Sequence, residues 1–157
     1  MADKINKLCG LPFLAGALEE HPNFLQFTKE ELLAFSKYCA GKSLEKDTVL
    51  FSEGDCGTSM FIVKKGNIKI LKVGFLGETA LGQITPGEFV GEMAVIDNSP
   101  RMATAKASVD TELLELTSEK FEQLKKEHPA IALKIVDVLL RILSVRLRSM
   151  TSRMLKK

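Results

Sequence analysis

Glycine recurs at short intervals through the middle of the chain, and this spacing restricts the region to short strands joined by tight turns. From position 41 to position 87 the glycines are Gly41, Gly54, Gly57, Gly66, Gly74, Gly77, Gly82 and Gly87. Apolar and β-branched residues fill the segments "TVLF", "SMFIVKKGNIKILKV", "TALGQI", "TAKASV" and "ELLEL". Many short strands with regular glycine turns are typical of a β-barrel or a jelly-roll sandwich.

Helical patterns flank this β region on both sides. "TKEELLAFSKYC" places Thr28 three residues before Glu31, which is the spacing of a capping box. "SEKFEQLKKEHP" predicts a helix that ends near Pro129, and "AIALKIVDVLLRILSVRLRSMTSRML" predicts a longer one after it. The chain has 157 residues and no long linker, so we expect a single α+β domain. Its expected parts are N-terminal helices over 1–40, strands over 42–116 and C-terminal helices over 118–157.

Composition argues against several classes of protein. The net charge of +2 is too small to suggest nucleic-acid binding by the whole domain. Cys9, Cys39 and Cys56 are widely spaced and odd in number, which predicts neither a disulfide framework nor a zinc cluster. There is no run of 18 apolar residues, so no transmembrane helix is expected. The apolar run at 8–18 resembles a secretory signal, but Pro12 interrupts it, and we expect a cytoplasmic protein.

One stretch of the β region, "FVGEMAVIDNSPRMATAKA" at 89–107, has a different pattern. "GEMAVI" predicts a short helix, and the free N–H groups at a helix start attract anions. Arg101 is suited to phosphate because its planar guanidinium donates two parallel hydrogen bonds. Glu92 would repel phosphate, so it must accept a hydroxyl from another part of the ligand. These residues predict a sugar-phosphate site, unless Glu92 and Arg101 pair with each other across a surface loop.

Enzymatic chemistry has little support in the sequence. A metal-dependent cupin needs clustered histidines, whereas His21 and His128 both lie in the predicted helical parts. "GFLGETALG" matches neither a Walker loop nor G-x-G-x-x-G, and it predicts a hairpin turn. No serine or cysteine lies in a nucleophile signature. We therefore expect no catalytic activity, no metal site and no cofactor.

The stretch at 89–107 resembles the phosphate-binding cassette of the cyclic nucleotide-binding domain family. The matching residues are Gly91, Glu92, Met93, Ala94, Pro100, Arg101, Ala103 and Thr104, with "EGDCGTSMFIVKKGNIKI" upstream. The resemblance runs from about Phe24 to at least Leu143. It implies an antiparallel β-roll of eight strands, a double-stranded jelly roll, with flanking helices. The phosphate-binding cassette at 89–104 would place a short helix inside the roll. It also implies a regulatory sensor whose ligand is cAMP or cGMP.

The resemblance assigns a role to each phosphate and ribose contact. Glu92 would accept the ribose 2′-hydroxyl, and Arg101 would neutralise the cyclic phosphate. Backbone N–H groups near Ala94 and Ala103 would bond the same phosphate. Gly91 and Met93 complete the ligand-binding turn.

The resemblance also places residues around the base. Ile70 and Leu81 would line the purine pocket, although both positions equally fit plain core residues. A residue of the last helix would close over the purine. The spacing from the cassette puts that position close to Ile142, with Leu139 and Arg146 one turn to either side, and the planar guanidinium of Arg146 would stack on the ring. Members that prefer cGMP often have threonine directly after the arginine. This chain has Met102, which offers no hydrogen-bond donor, so the resemblance favours cAMP.

The end of the chain is basic and apolar at once. After Asp137 there is no acid, but there are Arg141, Arg146, Arg148, Arg153, Lys156 and Lys157. A DNA-reading helix-turn-helix would have to follow the long helix, and the sequence stops at Lys157, so we expect no DNA binding.

Two apolar stripes run along the predicted last helix. One has the 3-4 spacing of a coiled coil: Leu133, Val136, Leu140, Leu143, Leu147, Met150 and Met154. The other consists of Ile135, Leu139 and Ile142. One stripe suffices to pack the helix on its own domain, so the second predicts a homodimer through the last helix. Alternatively, both stripes pack on the β-roll, or the free stripe binds an effector protein or the remainder of a longer chain.

We therefore expect a stand-alone regulatory sensor that binds a cyclic nucleotide, with cAMP favoured over cGMP, and signals by repositioning its C-terminal helices. The sequence does not identify the effector. Two alternatives remain open: a degenerate domain that binds no nucleotide and serves as a dimerisation or interaction module, and the regulatory tail of a channel or kinase.

Overall fold

A computed structural model describes residues 18–156. The predicted helical residues before Leu18, with most of the apolar run at 8–18, lie outside the described residues. In chain order the elements are the 3₁₀ helix Pro22–Phe24, α1 (Lys29–Ser36), β1 (Ala40–Leu44), β2 (Val49–Phe51), β3 (Ser59–Lys65), β4 (Ile68–Gly74), β5 (Gly77–Ile84), β6 (Phe89–Val90), α2 (Glu92–Asp97), β7 (Thr104–Ala107), β8 (Thr111–Thr117), α3 (Ser118–Glu127) and α4 (Pro129–Met154).

The strands form two four-stranded antiparallel sheets, in the orders β1-β8-β3-β6 and β2-β7-β4-β5. This is the β-roll that the resemblance implied, and the predicted α+β class is confirmed. Glycine turns fall where the sequence predicted them: Gly66 has a φ of 86° between β3 and β4, and Gly74 faces Gly77 across the next hairpin. Strand β1 begins at Ala40, slightly before the predicted β region.

Strand β3 carries apolar side chains into two separate cores because successive residues of a strand point to opposite faces. Met60 and Ile62 join the core between the first sheet and the helices. Phe61 and Val63 join the core between the two sheets. The first sheet is thus covered on both faces, which explains why Ser59 through Val63 are all buried.

The capping box predicted at the start of α1 is present: the Thr28 hydroxyl accepts from the Glu31 N–H, and Glu31 accepts from the Thr28 N–H. Helix α3 is capped at Thr117, and its predicted end before Pro129 is confirmed. Within residues 18–156, none of the helices combines the length and apolar character that crossing a membrane requires.

The two stripes of α4 have different environments. Ile135, Leu139 and Ile142 are buried in the helix-facing core. The seven-residue stripe is largely uncovered, with Leu133, Leu140 and Leu147 59–66% exposed. The alternative in which both stripes pack against the β-roll is therefore wrong.

Candidate functional site

The short helix α2 begins at a glycine that the turn requires. Gly91 has a φ of 77°, in the left-handed region, and it caps the helix without any side-chain hydrogen bond. Glu92 is the first helical residue, and its side chain is only 2% exposed. Ala94 is buried beside it, whereas Met93 is 40% exposed on the outer face. The turn from β6 into α2 therefore buries one carboxylate inside the roll.

Arg101 is also buried, and its side chain reaches the same turn. Its Nη1 donates to the carbonyl oxygen of Gly91 at 2.7 Å, and its Nη2 donates to the carbonyl oxygen of Ser59 at 2.6 Å. The guanidinium carbon lies 4.1 Å from the ring centroid of Phe51, in a cation–π contact. Its Nε–H is buried and has no hydrogen-bond partner. The guanidinium thus retains donor capacity for an acceptor that approaches it.

The loop between β2 and β3 fixes the backbone of Arg101. The Gly54 N–H donates to the Arg101 carbonyl, and the Arg101 N–H donates to the Asp55 carbonyl, both at 2.8 Å. Gly57 leaves room for the side chain, because a Cβ at that position would lie 2.8 Å from the Arg101 guanidinium carbon. The same loop therefore sets both the backbone and the side-chain position of Arg101.

Glu92 and Arg101 do not pair with each other across a surface loop, so that alternative is wrong. The ion pair formed by Glu92 is with Arg146 of α4, whose Nη1 donates to Glu92 Oε1. The Arg146 Nη2 donates to the carbonyl oxygen of Phe89 at 2.6 Å. An arginine of the last helix therefore donates to the same Glu92 carboxylate that the sequence predicts as the acceptor of a ligand hydroxyl.

Burial perturbs both charged groups of the site. Desolvation raises the pKa of the Glu92 carboxyl above its ordinary value of 4.5, and the positive charges of Arg146 and Arg101 only partly offset this effect. Desolvation lowers the pKa of the Arg101 guanidinium, while the charges of Asp55 and Glu92 act in the opposite direction. An opposite charge or a strong hydrogen bond from a ligand would therefore stabilise the charged form of each group.

The residues predicted around the base lie in different environments. Ile70 pairs with Gly82 in β5 and packs against the core between the sheets. The β4–β5 register skips Leu81, which is the extra residue of a bulge and is 39% exposed. Ile142 is 7% exposed and belongs to the helix-facing core. Leu81 is therefore available to a ligand, whereas Ile142 lies within the packing of the helices.

The end of α4 crosses the predicted site. Arg146 contacts Glu92, and two turns later the Arg153 Nη1 donates to the carbonyl oxygen of Leu81 at 3.3 Å. After the cassette arginine, Met102 is half-exposed and Ala103 is buried. The structure thus brings together Gly91, Glu92, Ala94, Arg101 and Arg146 around one turn, whereas Ala103 is buried two residues after Arg101.

Three residues that shape the site were not predicted from the sequence. Phe51 supplies the ring beneath Arg101, Ser59 supplies a carbonyl acceptor, and Gly57 supplies the space. The carbonyl contact involves no side chain, so Ser59 leaves no signal in the sequence. Gly57 belongs to the glycine pattern, but the pattern does not show which glycine faces Arg101.

The model of the "Cyclic nucleotide-binding domain" family matches residues 41–128. The chain is 31% identical over 121 residues to the "Cyclic AMP receptor protein" of Thermus thermophilus, which covers 76% of this chain and 56% of the relative. The chain therefore spans little more than half the length of that relative. This chain belongs to the cyclic nucleotide-binding domain family.

Solved structures agree with this assignment. A cyclic nucleotide-binding domain from Methylobacillus flagellatus superposes with a TM-score of 0.82 at 26% identity, covering 99% of this chain and 85% of that one. The regulatory domain of Toxoplasma gondii PKA, determined with cAMP, superposes with a TM-score of 0.62 at 28% identity, covering 71% and 42%. The similarity includes the β-roll that carries the site.

Proposed function

We propose that this domain binds a cyclic nucleotide, with cAMP favoured over cGMP, and signals by repositioning its C-terminal helices. One observation carries the proposal: Glu92 and Arg101 are both buried at one turn, yet they do not pair with each other. A buried charged group is unfavourable unless a partner satisfies it. Arg146 is that partner for Glu92, whereas within residues 18–156 the Arg101 guanidinium forms no ion pair and its Nε–H has no acceptor. A ligand phosphate would supply the missing partner of Arg101, and a sugar hydroxyl of the same ligand would donate to Glu92.

Each ligand group has a matching residue. The cyclic phosphate is the acceptor for Arg101 and for backbone N–H groups near Ala94 and Ala103. The ribose 2′-hydroxyl donates to Glu92, with Gly91 and Met93 completing the turn. Ile70 and Leu81 contact the base with apolar area. No catalytic step is proposed, because these groups bind and orient a nucleotide without presenting a nucleophile.

The preference for cAMP has two supports. Met102, directly after Arg101, offers no donor to a guanine. The Thermus relative is named a cyclic AMP receptor protein, and the Toxoplasma domain was solved with cAMP. Guanine has a carbonyl at C6 and an amino group at C2 where adenine has neither, and the half-exposed thioether of Met102 has no donor for that carbonyl and is only a weak acceptor for that amino group.

The uncovered stripe of α4 supports a homodimer as the signalling unit. Leu133, Leu140 and Leu147 recur at seven-residue spacing and are mostly exposed, as a coiled-coil seam requires before it pairs. A second copy would cover the stripe along the same helix that contacts Glu92. The ligand site and the dimer seam would then both involve α4. An effector protein that contacts α4 would respond to the bound nucleotide.

Isothermal titration of the wild-type chain with cAMP, cGMP and 5′-AMP tests the proposal. We expect cAMP to bind, cGMP to bind more weakly, and 5′-AMP, whose phosphate is not cyclic, to bind more weakly still. A preference for cGMP of tenfold or more would contradict the selectivity. Absence of binding to every nucleotide would favour the degenerate interaction module. Chromatography of the titrated cAMP should recover it unhydrolysed.

A further inference from the structure

The ammonium group of Lys72, on β4, contacts two of the segments that surround Arg101. Its Nζ donates to the carbonyl oxygen of Met102 at 2.9 Å. The same Nζ forms an ion pair with Glu53 Oε1 at 3.1 Å, and the Glu53 N–H donates to the Thr104 hydroxyl at 3.0 Å. Glu53 belongs to the β2–β3 loop that fixes the Arg101 backbone. Lys72 therefore connects this loop and the end of the cassette to β4.

The bond from Lys72 acts on a peptide group that the proposed function uses. The Met102 carbonyl and the Ala103 N–H are the two ends of one trans peptide, so they lie in one plane and point in opposite directions. A donor that fixes the carbonyl therefore also fixes the direction of the N–H. Ala103 is buried, and within residues 18–156 its N–H has no hydrogen-bond acceptor. This N–H is thus oriented and still able to donate.

We infer that Lys72 is a positioning residue for the ligand phosphate: it holds the peptide between Met102 and Ala103 so that the Ala103 N–H is oriented before a ligand arrives. The inference rests on the proposed function, in which this N–H bonds the cyclic phosphate. An oriented donor lowers the cost of binding, because the ligand does not have to order it. The hydrogen bond at the carbonyl also polarises the peptide and strengthens its N–H as a donor.

Positioning differs from simple attraction between the Lys72 charge and the phosphate. Lys72 is half-exposed and paired with Glu53, so its charge is screened by solvent and largely cancelled at a distance. Lys69 carries the same charge at an exposed position of the same strand. Attraction at a distance would make the two lysines equivalent, whereas positioning requires the bond from Lys72 to the Met102 carbonyl.

Three variants separate the two roles. Lys72→Met removes the ammonium group and keeps an unbranched apolar stem. Lys72→Arg keeps a charged donor on a long side chain and is the conservative variant that should rescue binding. Lys69→Met is the matched control, because it removes the same charge from β4. Urea denaturation establishes that each variant is folded before cAMP is titrated by calorimetry.

We expect Lys72→Met to bind cAMP about ten-fold more weakly than wild type. Lys72→Arg should recover most of this loss, and Lys69→Met should bind as wild type does. Unchanged affinity in Lys72→Met, or an equal loss in Lys69→Met, would overturn the inference.

Analogues of cAMP with sulfur in place of one exocyclic phosphate oxygen provide a readout that a general loss of structure would not change. Sulfur is a weak acceptor, so the diastereomer that presents sulfur to the Ala103 N–H loses most of that bond. We expect Lys72→Met to reduce the affinity penalty of one diastereomer and to leave the penalty of the other unchanged. Penalties that are the same in wild type and Lys72→Met for both diastereomers would refute the positioning role.

If wild type binds no nucleotide, the proposed function fails, and the free protein still tests the contact between Lys72 and Met102. The amide nitrogen resonance of Ala103 should shift in Lys72→Met, because its peptide loses a hydrogen bond at the carbonyl. The same resonance should stay in place in Lys69→Met. An unchanged Ala103 resonance in Lys72→Met would show that Lys72 does not hold this peptide.

Discussion

At the scale of single residues, the position of Arg101 is determined before any ligand arrives. Two backbone carbonyls and the Phe51 ring hold its guanidinium, and Gly57 leaves it only the space it needs. Such preorganisation lowers the cost of binding because the side chain does not have to be ordered by the ligand. The site therefore depends on residues that would never touch a nucleotide.

Gly57→Ala tests this dependence. The added methyl would lie 2.8 Å from the Arg101 guanidinium carbon and would also overlap Ala94, so one of the two must move. We expect a loss of about 1–3 kcal/mol in the free energy of unfolding and about ten-fold weaker cAMP binding. Urea denaturation and calorimetry measure the two effects. Gly41→Ala, where a Cβ meets nothing within 4 Å, is the control, and equal behaviour of the two variants would refute the spatial argument.

Glu92 should make stability depend on pH. Its pKa is raised in the folded protein, so the folded state binds a proton more readily than the unfolded state does. This contribution is fully present below the ordinary value of 4.5 and is lost as pH rises through the folded pKa. We expect Glu92→Gln, which resembles the protonated acid, to gain stability relative to wild type as pH rises above 4.5.

Urea denaturation of wild type and Glu92→Gln across about pH 4 to 8 measures this difference, which changes by about 1.4 kcal/mol per pH unit inside the window. Glu78→Gln, at an exposed position of β5, is the matched control. A difference between wild type and Glu92→Gln that is flat, or that falls as pH rises, would contradict the expected direction.

At the scale of elements, α4 consists of two halves with different attachments. The half up to Ile142 buries Ile131, Ile135, Val138 and Leu139 in the helix-facing core. Apolar burial on this scale holds a helix firmly, at about 1.5–3 kcal/mol per large side chain. The half at 143–154 has no fully buried side chain. The helix can therefore be released at one end while it remains anchored at the other.

Hydrogen exchange with and without cAMP tests this division. If the C-terminal helices are repositioned on binding, we expect cAMP to change the exchange rate of segment 143–154, while segment 131–142 keeps its protection. Unchanged exchange in segment 143–154, with cAMP bound, would contradict the repositioning of the helix end.

Local sequence patterns predicted most of the helices and strands. They could not predict contacts between residues that are far apart in the sequence. The Thr28–Glu31 capping box, the glycine turns and α2 each depend on residues a few positions apart, so the sequence contains them. Strand β6 has two residues, too few for any periodicity, and it was hidden within the cassette. The Arg146–Glu92 contact joins residues 54 positions apart. It arises only when α4 packs on the first sheet, which no local pattern specifies.

At the scale of the whole molecule, the dimer proposal predicts a mass in solution. The stripe on α4 leaves Leu140 and Leu147 about 59–66% exposed, an apolar surface that a second copy would cover. We expect sedimentation equilibrium to give a mass near twice the 17.3 kDa of one chain. The double variant Leu140→Glu with Leu147→Glu should be monomeric, because like charges would face each other in the seam.

Val109→Glu is the control for that experiment, because Val109 is an exposed apolar residue that lies outside α4. It should leave the mass of the dimer unchanged. A wild-type monomer at high micromolar concentration, with and without cAMP, would show that the stripe binds a different partner.

The central claim is that a cyclic phosphate binds at Arg101, and titration of Arg101→Ala with cAMP tests it most directly. Removing one partner of a buried, hydrogen-bonded charge pair costs roughly 2–5 kcal/mol. This corresponds to about 30-fold to several thousand-fold in affinity. Arg148→Ala removes the same charge from an exposed position and should bind as wild type does. Wild-type affinity in a folded Arg101→Ala would contradict the account of the site.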